Sequence, residues 1–284
     1  MSDIELSVHS LHVYPVKSCG GITLDEGLLI ETGLEFDRAW MVVDEHNEFV
    51  TQRELPRMAL VQPSLRYDDL VLRAPGMLAL HLSLSNVEFP VRARIWDDWV
   101  NAFDMGALAA QWFSDFLGQR VRLVRFDPEQ RRLSSTQWTG PLEAENAFSD
   151  GYPLLVCSTA SLDELNRRLA AQGHAPVTLA RMRPNLVLAG LEANGEDHLD
   201  EIGFDTAEGP VRLKLVKPCT RCPIPDIDPL TAEPGQAVGD VLASYRFDAR
   251  VDGSISFGMN AVLLEGVDRV LRAGMRGGAS YRFD

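Results

Sequence analysis

Short apolar runs of alternating character, separated by turn residues, fill the first hundred positions. Runs at 6–14, 39–43, 48–51, 59–65, 70–72, 78–84 and 91–96 are punctuated by Gly20-Gly21, Gly33, Asn47, Pro56, Pro63 and Pro75-Gly76. Alternation at period two predicts half-buried strands, and many short strands at this spacing predict a barrel or sandwich. The period changes at 106–117, where Leu108, Trp112, Phe113 and Phe116 recur on one helical face and Gly118 supplies a stop. A strand is expected at 120–125. Residues 127–148 lose the pattern; they are polar, carry Pro, Gly and Ser, and mark the domain boundary. Beyond them, strands are expected at 153–157, 185–188, 211–216 and 261–264. The capping box Ser161-Leu-Asp-Glu164 opens a helix that runs to residue 171. The expected fold is mainly β with a few helices (α+β), in two domains, 1–126 and 127–284.

Composition narrows the partners. The chain has 284 residues, is 45% hydrophobic and carries a net charge of −14. Its length suffices for a sizeable core. Its charge repels phosphate backbones and anionic lipid, so neither nucleic acid nor a membrane is expected as a partner. Only three of the 27 basic residues are lysines: Lys17, two residues before Cys19, and Lys214 and Lys217, just before Cys219. Positive charge kept beside thiols in so acidic a chain hints at a local anion site. The start shows no charged segment followed by an apolar one, and no run of 18 apolar residues occurs. The protein is therefore expected in the cytoplasm, with reduced thiols.

The sharpest chemical signal is Pro218-Cys219-Thr220-Arg221-Cys222-Pro223 at the end of an expected basic strand. Four readings are open. A zinc site needs four tetrahedral ligands, and Cys19, Cys157 and the six His show no such spacing. A thioredoxin-like dithiol opens a helix, which Pro223 and Pro225 oppose. Two buried thiols without a role sit poorly with Arg221 between them and Lys217 nearby. A single thiolate ligand to a soft transition metal suits that positive setting. Elsewhere, Lys17-Ser18 before Gly20-Gly21 combines a cation, a hydroxyl and permissive glycines, the makings of a phosphate cradle or of an ordinary turn. Arg181-Met-Arg183-Pro-Asn185 puts two guanidiniums ahead of a strand, and Arg matches phosphate bidentately. Arg38 and Arg53 flank apolar strand residues, and His198, Asp200 and Glu201 form a polar loop.

These motifs, in this order, resemble the MOSC-domain family. Tyr14-Pro-Val-Lys-Ser18, Asp37-Arg38-Ala-Trp40, Thr51-Gln-Arg53 and Pro56-Arg57 resemble the MOSC N-terminal β-barrel domain. Arg183-Pro-Asn185, Pro218-Cys-Thr-Arg-Cys222, Ile227-Asp-Pro229 with Gly235, and Phe257-Gly258 with Asn260 resemble the MOSC domain itself. The amidoxime-reducing members are the nearest functional likeness. That likeness implies a mononuclear molybdenum cofactor (molybdenum–molybdopterin) with Cys222 as metal ligand and catalytic centre. It implies cofactor contacts at Lys17, Ser18, Arg38, Arg53, Arg183, Asn185, Thr220 and Arg221, and assigns no role to Cys219. It also implies reduction of small N-hydroxylated substrates.

The four spaced cysteines of an internal [2Fe–2S] cluster are missing, so electrons are expected from a separate flavoprotein or ferredoxin-like donor. The hydrophobic anchor of the mitochondrial members is not seen at the start. The tail at 272–276 and Pro223 depart from the family pattern, leaving the last strand and the pocket shape open. Two alternatives stand beside the reductase. One is a non-catalytic cofactor carrier related to sulfuration, because cofactor sulfurases share the Cys-x-Arg-Cys motif. The other is a thiol–disulfide oxidoreductase using Cys219 and Cys222.

Overall fold

The computed structural model describes residues 4–87 and 89–282. The outer ends of the two expected domains, 1–3 and 283–284, lie outside the described residues.

Apolar alternation in Ile4–Val13 buries Leu6, Val8, Leu11 and Val13 on one side of a strand. That strand pairs antiparallel with both Leu186–Ala189 and Arg276–Tyr281. It thereby joins a seven-strand barrel that continues through Leu199–Thr206, Gly209–Thr220 and Ser254–Glu265 to Leu154–Ser158. Ser254–Glu265 pairs with Leu154–Ser158, which pairs parallel with Leu186–Ala189 and closes the ring. Closure removes the exposed edges that an open sheet would carry. The barrel core draws Leu11, Leu29 and Leu34 from the N-terminal part and Leu188, Phe204, Leu215 and Met259 from the C-terminal part.

Glu26–Ile30 pairs with Gly33–Leu34 and with Val270–Arg272 in a small sheet, and further N-terminal residues build two more. One runs Trp40–Val43, Arg122–Phe126, Asp98–Asp104, Phe89–Ile95; the other runs Gln62–Arg66, Asp69–Arg73, Leu80–Ser83. Helix Ala107–Leu117 packs Trp112, Phe113 and Phe116 against Trp40, Met58, Leu70 and Leu80. Three further helices, Thr136–Thr139, Thr159–Ala171 and Ala237–Ala243, complete a mainly β fold, as expected from the pattern. Among the described residues no helix is long and apolar enough to cross a membrane.

Several expected elements shift, each for a local reason. The run at 48–51 makes only isolated bridges, Val43 with Phe49 and Glu48 with Arg94. There the Asp44 carboxylate accepts the His46 and Glu48 amides and bends the chain. The run at 59–65 begins as a 3-10 turn, Pro56–Leu60, because Pro56 sets a helical φ. Leu108 is 71% exposed, since the helix buries Ala109, Trp112, Phe113 and Phe116 instead. The helix at 159–171 is capped by Ser158, whose Oγ accepts the Ser161 amide; Glu164 pairs with Arg167 and Arg168. The strand expected to end at 216 runs on to Thr220, with bulges between Leu215/Lys217 and Pro218/Thr220. Pro218 cannot donate to the ladder, and bulges are where sheets accommodate proline. Lys214 pairs with Asp200 at 3.1 Å on the neighbouring strand and leaves the proposed anion site. The tail at 272–276 turns into Arg276–Tyr281, which pairs on both sides within the barrel.

Candidate functional site

After Val13 the chain leaves the barrel and crosses to the N-terminal sheet. The Lys17 amide donates to the Trp40 carbonyl and the Gly20 amide to the Val61 carbonyl, so residues 14–20 bridge the two halves. Ser18 turns this loop in the left-handed region, φ 67°. A Cβ on Gly21 would lie 2.5 Å from the Tyr14 ring, so only glycine fits there.

Two of the predicted cations, Arg38 and Arg183, gather at Tyr14. The Arg38 guanidinium lies 4.4 Å and the Arg183 guanidinium 4.2 Å from its ring centroid. Both arginines hold left-handed backbones, φ 47° and 60°, outliers of a kind found at functional sites. Arg38 donates to Asp37 at 2.5 Å, to Asn185 Oδ1 at 3.1 Å and to the Arg183 carbonyl at 3.0 Å. Arg183 donates to the Cys19 carbonyl at 2.5 Å and has no carboxylate partner among the described residues. Burial and the neighbouring Arg38 bring the Arg183 pKa down to about 10. Burial outweighs both guanidiniums at Tyr14 and pushes its phenol up to about 12. Asn185 is buried; its Oδ1 also accepts the Leu155 amide and its Nδ2 donates to the His12 carbonyl, stitching three segments together.

Lys17 is buried and bonds away from Tyr14, to residues 148 and 150. Its Nζ donates to the Phe148 carbonyl at 2.9 Å and to Asp150 Oδ1 at 2.5 Å. Burial pulls the Lys17 pKa down and Asp150 opposes it. Burial would raise Asp150, yet the ammonium and its hydrogen bond hold that carboxyl well below the usual range, although its side chain is 71% exposed. Trp96, in the left-handed turn of the hairpin at 89–104, donates its Nε1 to Asp150 at 3.4 Å. Arg53 stands over Trp96 at 4.8 Å, and Phe49 tilts against it at 5.0 Å. Arg53 thus reaches the Lys17–Asp150 pair through an aromatic ring.

The four thiols differ sharply. Cys19 and Cys157 are fully buried, and burial raises both, Cys19 to about 12 and Cys157 well above its ordinary value. Cys219 is half-buried and accepts Arg221 Nη1 at 3.0 Å; Cys222 is exposed, as is Thr220. Arg221 Nη2 donates to the Met182 carbonyl at 2.9 Å, one residue before Arg183. Two hydrogen bonds therefore link the Cys222 turn to residues 182–183 and these to Cys19. Among the described residues no cluster of three or more His, Cys, Asp or Glu is arranged to hold a metal ion, which removes the geometry a zinc site needs.

The matches to known proteins follow this division. Residues 5–120 match the MOSC N-terminal beta barrel domain, and residues 143–275 match the MOSC domain. Human mitochondrial amidoxime-reducing component 1 is 33% identical over 250 residues, which covers 84% of this chain and 72% of that protein. The chain belongs to the MOSC family. The mouse amidoxime-reducing component 1 is 36% identical over 234 residues, 79% of this chain and 66% of that protein, just under two thirds of its length. Human molybdenum cofactor sulfurase is 28% identical over 271 residues, 89% of this chain but 29% of that protein.

Within this MOSC chain, the sequence singled out neither Asp150 nor Trp96, and it showed Asp37 and Gln52 only inside motifs, with no role of their own. Asp150 lies in a polar stretch that reads as solvated loop, and Trp96 in a hairpin turn where an aromatic has no periodic signal. Lys217, expected near an anion site, lies 5.5 Å from the Trp138 ring and 5.8 Å from the Tyr152 ring.

An anionic heterocycle suits the residues present. Arg183 has no carboxylate in direct contact among the described residues, Gly21 keeps the backbone close to Tyr14, and the soft thiol of Cys222 is open to approach.

Proposed function

We propose that this chain binds molybdenum–molybdopterin with Cys222 as the metal's thiolate ligand and reduces small N-hydroxylated substrates. The supporting observation is the pair Arg38 and Arg183 over Tyr14, with Arg221 bonded both to the Met182 carbonyl beside Arg183 and to Cys219, next to the exposed thiol of Cys222. Arg183 and Arg38 hold the anionic part of the cofactor, and Lys17, Ser18 and Asn185 set the shape of the loop and strand that receive it. Arg221 stays charged beside Cys219 and favours a thiolate in the turn. Thr220 and Arg53 border the approach, Arg53 through Trp96. Asp150, held ionised by Lys17, presents an accepting carboxylate at neutral pH and not a proton.

When bound, the cofactor supplies the two electrons that, with two protons, convert an N–OH group to N–H and water. The electrons come from a separate flavoprotein or ferredoxin-like donor. We place the reaction in the cytoplasm, and we take 1–126 and 127–284 as two sequence units that interlock through the shared barrel.

A cofactor carrier is the second reading, favoured by the sulfurase match over 89% of the chain. Protein produced in a molybdenum-replete host separates the two. Molybdenum content with turnover of benzamidoxime from an artificial reductant supports the reductase. Molybdenum content without turnover supports the carrier, and protein free of both molybdenum and pterin contradicts both.

A further inference from the structure

Gln52 is 4% exposed. Its Nε2 is buried and finds no acceptor among the described residues. An unpaired buried amide costs about 1–3 kcal/mol, so an unmet primary amide in a well-packed turn calls for an explanation. The residue lines a cleft of about 420 Å³ together with Tyr14, Arg183, Thr178, Ile224 and Ile227. That volume falls within the range of small-molecule sites. Arg183 and Tyr14 are the two groups at which the candidate site gathers its charge. Ile224 and Ile227 belong to the segment that follows Cys222, and Arg181 holds that segment by bonds to Asp228 at 2.8 Å and to the Pro225 carbonyl at 3.1 Å. The cleft therefore adjoins both the cationic cluster and the metal-ligand turn.

We infer that the Gln52 carboxamide is a binding group for the pterin ring system of the cofactor, pairing one donor and one acceptor with the ring's amide-like edge. This rests on the cofactor reading above. A primary amide offers both hydrogen-bonding senses on one planar group. A pterin carries adjacent carbonyl and N–H positions on a planar ring, so one amide satisfies two ring atoms at once. The apolar Ile224 and Ile227 suit the faces of such a ring, and Arg183 suits its anionic substituent. The orphaned amide is then the vacant half of a pair that the ligand completes.

Gln52→Leu and Gln52→Glu, each prepared in cofactor-free and cofactor-loaded form beside the wild type, test this. The readouts are the oxidised fluorescent pterin retained per protein after dialysis and the Tm of the cofactor-free protein. Gln52→Leu is expected to leave the cofactor-free Tm unchanged or raised, because it removes a buried group with no partner. It is expected to weaken pterin retention about fivefold or more, the effect of one hydrogen bond. Gln52→Glu, which keeps the size but loses the donor, is expected to weaken retention as well. Retention within twofold of wild type in both variants overturns the inference. So does a fall in the cofactor-free Tm of Gln52→Leu, which would mean that the amide serves the fold. Wild-type protein that retains no pterin contradicts the underlying cofactor reading and is read separately from the variants.

Discussion

Two guanidiniums over one phenol ring is a balance that magnitudes can resolve. From their distances to the Tyr14 centroid, Arg38 and Arg183 are no more than about 9 Å apart, so they repel by at least about 2 kcal/mol at an effective dielectric near 20. Each cation–π contact returns about 0.5–2 kcal/mol. The cluster sits close to neutral balance, and Asp37 compensates only Arg38 directly. An anion against Arg183 tips it to net attraction. The sign of the pH dependence follows. The Arg183 pKa is lowered to about 10, so the neutral form grows as pH rises through that value, where an ordinary arginine remains charged. Pterin retention is expected to hold from neutral pH to about 9 and to fall from about 10 upward, as read by dialysis at stepped pH. Arg183→Lys keeps a charge but loses the planar fork and its bond to Cys19, so retention at neutral pH is expected to fall about tenfold. Retention by Arg183→Lys equal to wild type would remove the guanidinium from the site.

At the scale of elements, the barrel closes where Leu154–Ser158 meets Ser254–Glu265, and Gly258 sits at that seam with φ 74°. A Cβ there would lie 2.6 Å from the Cys157 sulfur and 2.7 Å from the Val156 carbonyl. Gly258→Ala is expected to cost about 2–4 kcal/mol through strain and overlap together, measured as a lower urea midpoint with unchanged slope. A loss below about 0.5 kcal/mol would show that the seam can relax. The sequence-based expectations succeeded or failed by kind of signal. The runs around 40–43, 70–72 and 154–157 were legible because they are short, apolar and bounded by turn residues. Leu199–Thr206 and Arg276–Tyr281 were not legible, since Asp200, Glu201 and Asp205 interrupt one and Gly277-Gly278 the other. Their strand character comes from being paired on both sides within a closed barrel. Leu108 failed because Ala109, a smaller residue one position along, takes the buried place on the helix face. At the site, Lys17, Arg38, Arg183 and Cys222 were legible as residue types in motifs. Asp150, Trp96 and Gln52 were not, because their significance lies in contacts or missing contacts across distant segments.

At the scale of the whole molecule, Arg183 lies beside the junction of the barrel and the N-terminal sheets without a carboxylate partner among the described residues. The barrel itself is shared. Its first strand, Ile4–Val13, separates and pairs with Leu186–Ala189 and Arg276–Tyr281. A fragment of residues 127–284 lacks that strand and leaves two edges unpaired. It is expected to show no cooperative thermal transition alone, whereas the full chain unfolds in one; a cooperative transition in the fragment would mean that the barrel closes without residues 4–13.

The central claim concerns the sulfur of residue 222, and pairing pterin content with turnover in Cys222→Ser tests it most directly. The expected result is pterin retention near wild type, since Arg38, Arg183 and the cleft are untouched, with reduction of N-hydroxylated substrate reduced to background. Turnover by Cys222→Ser at the wild-type rate, with full cofactor, would contradict the account.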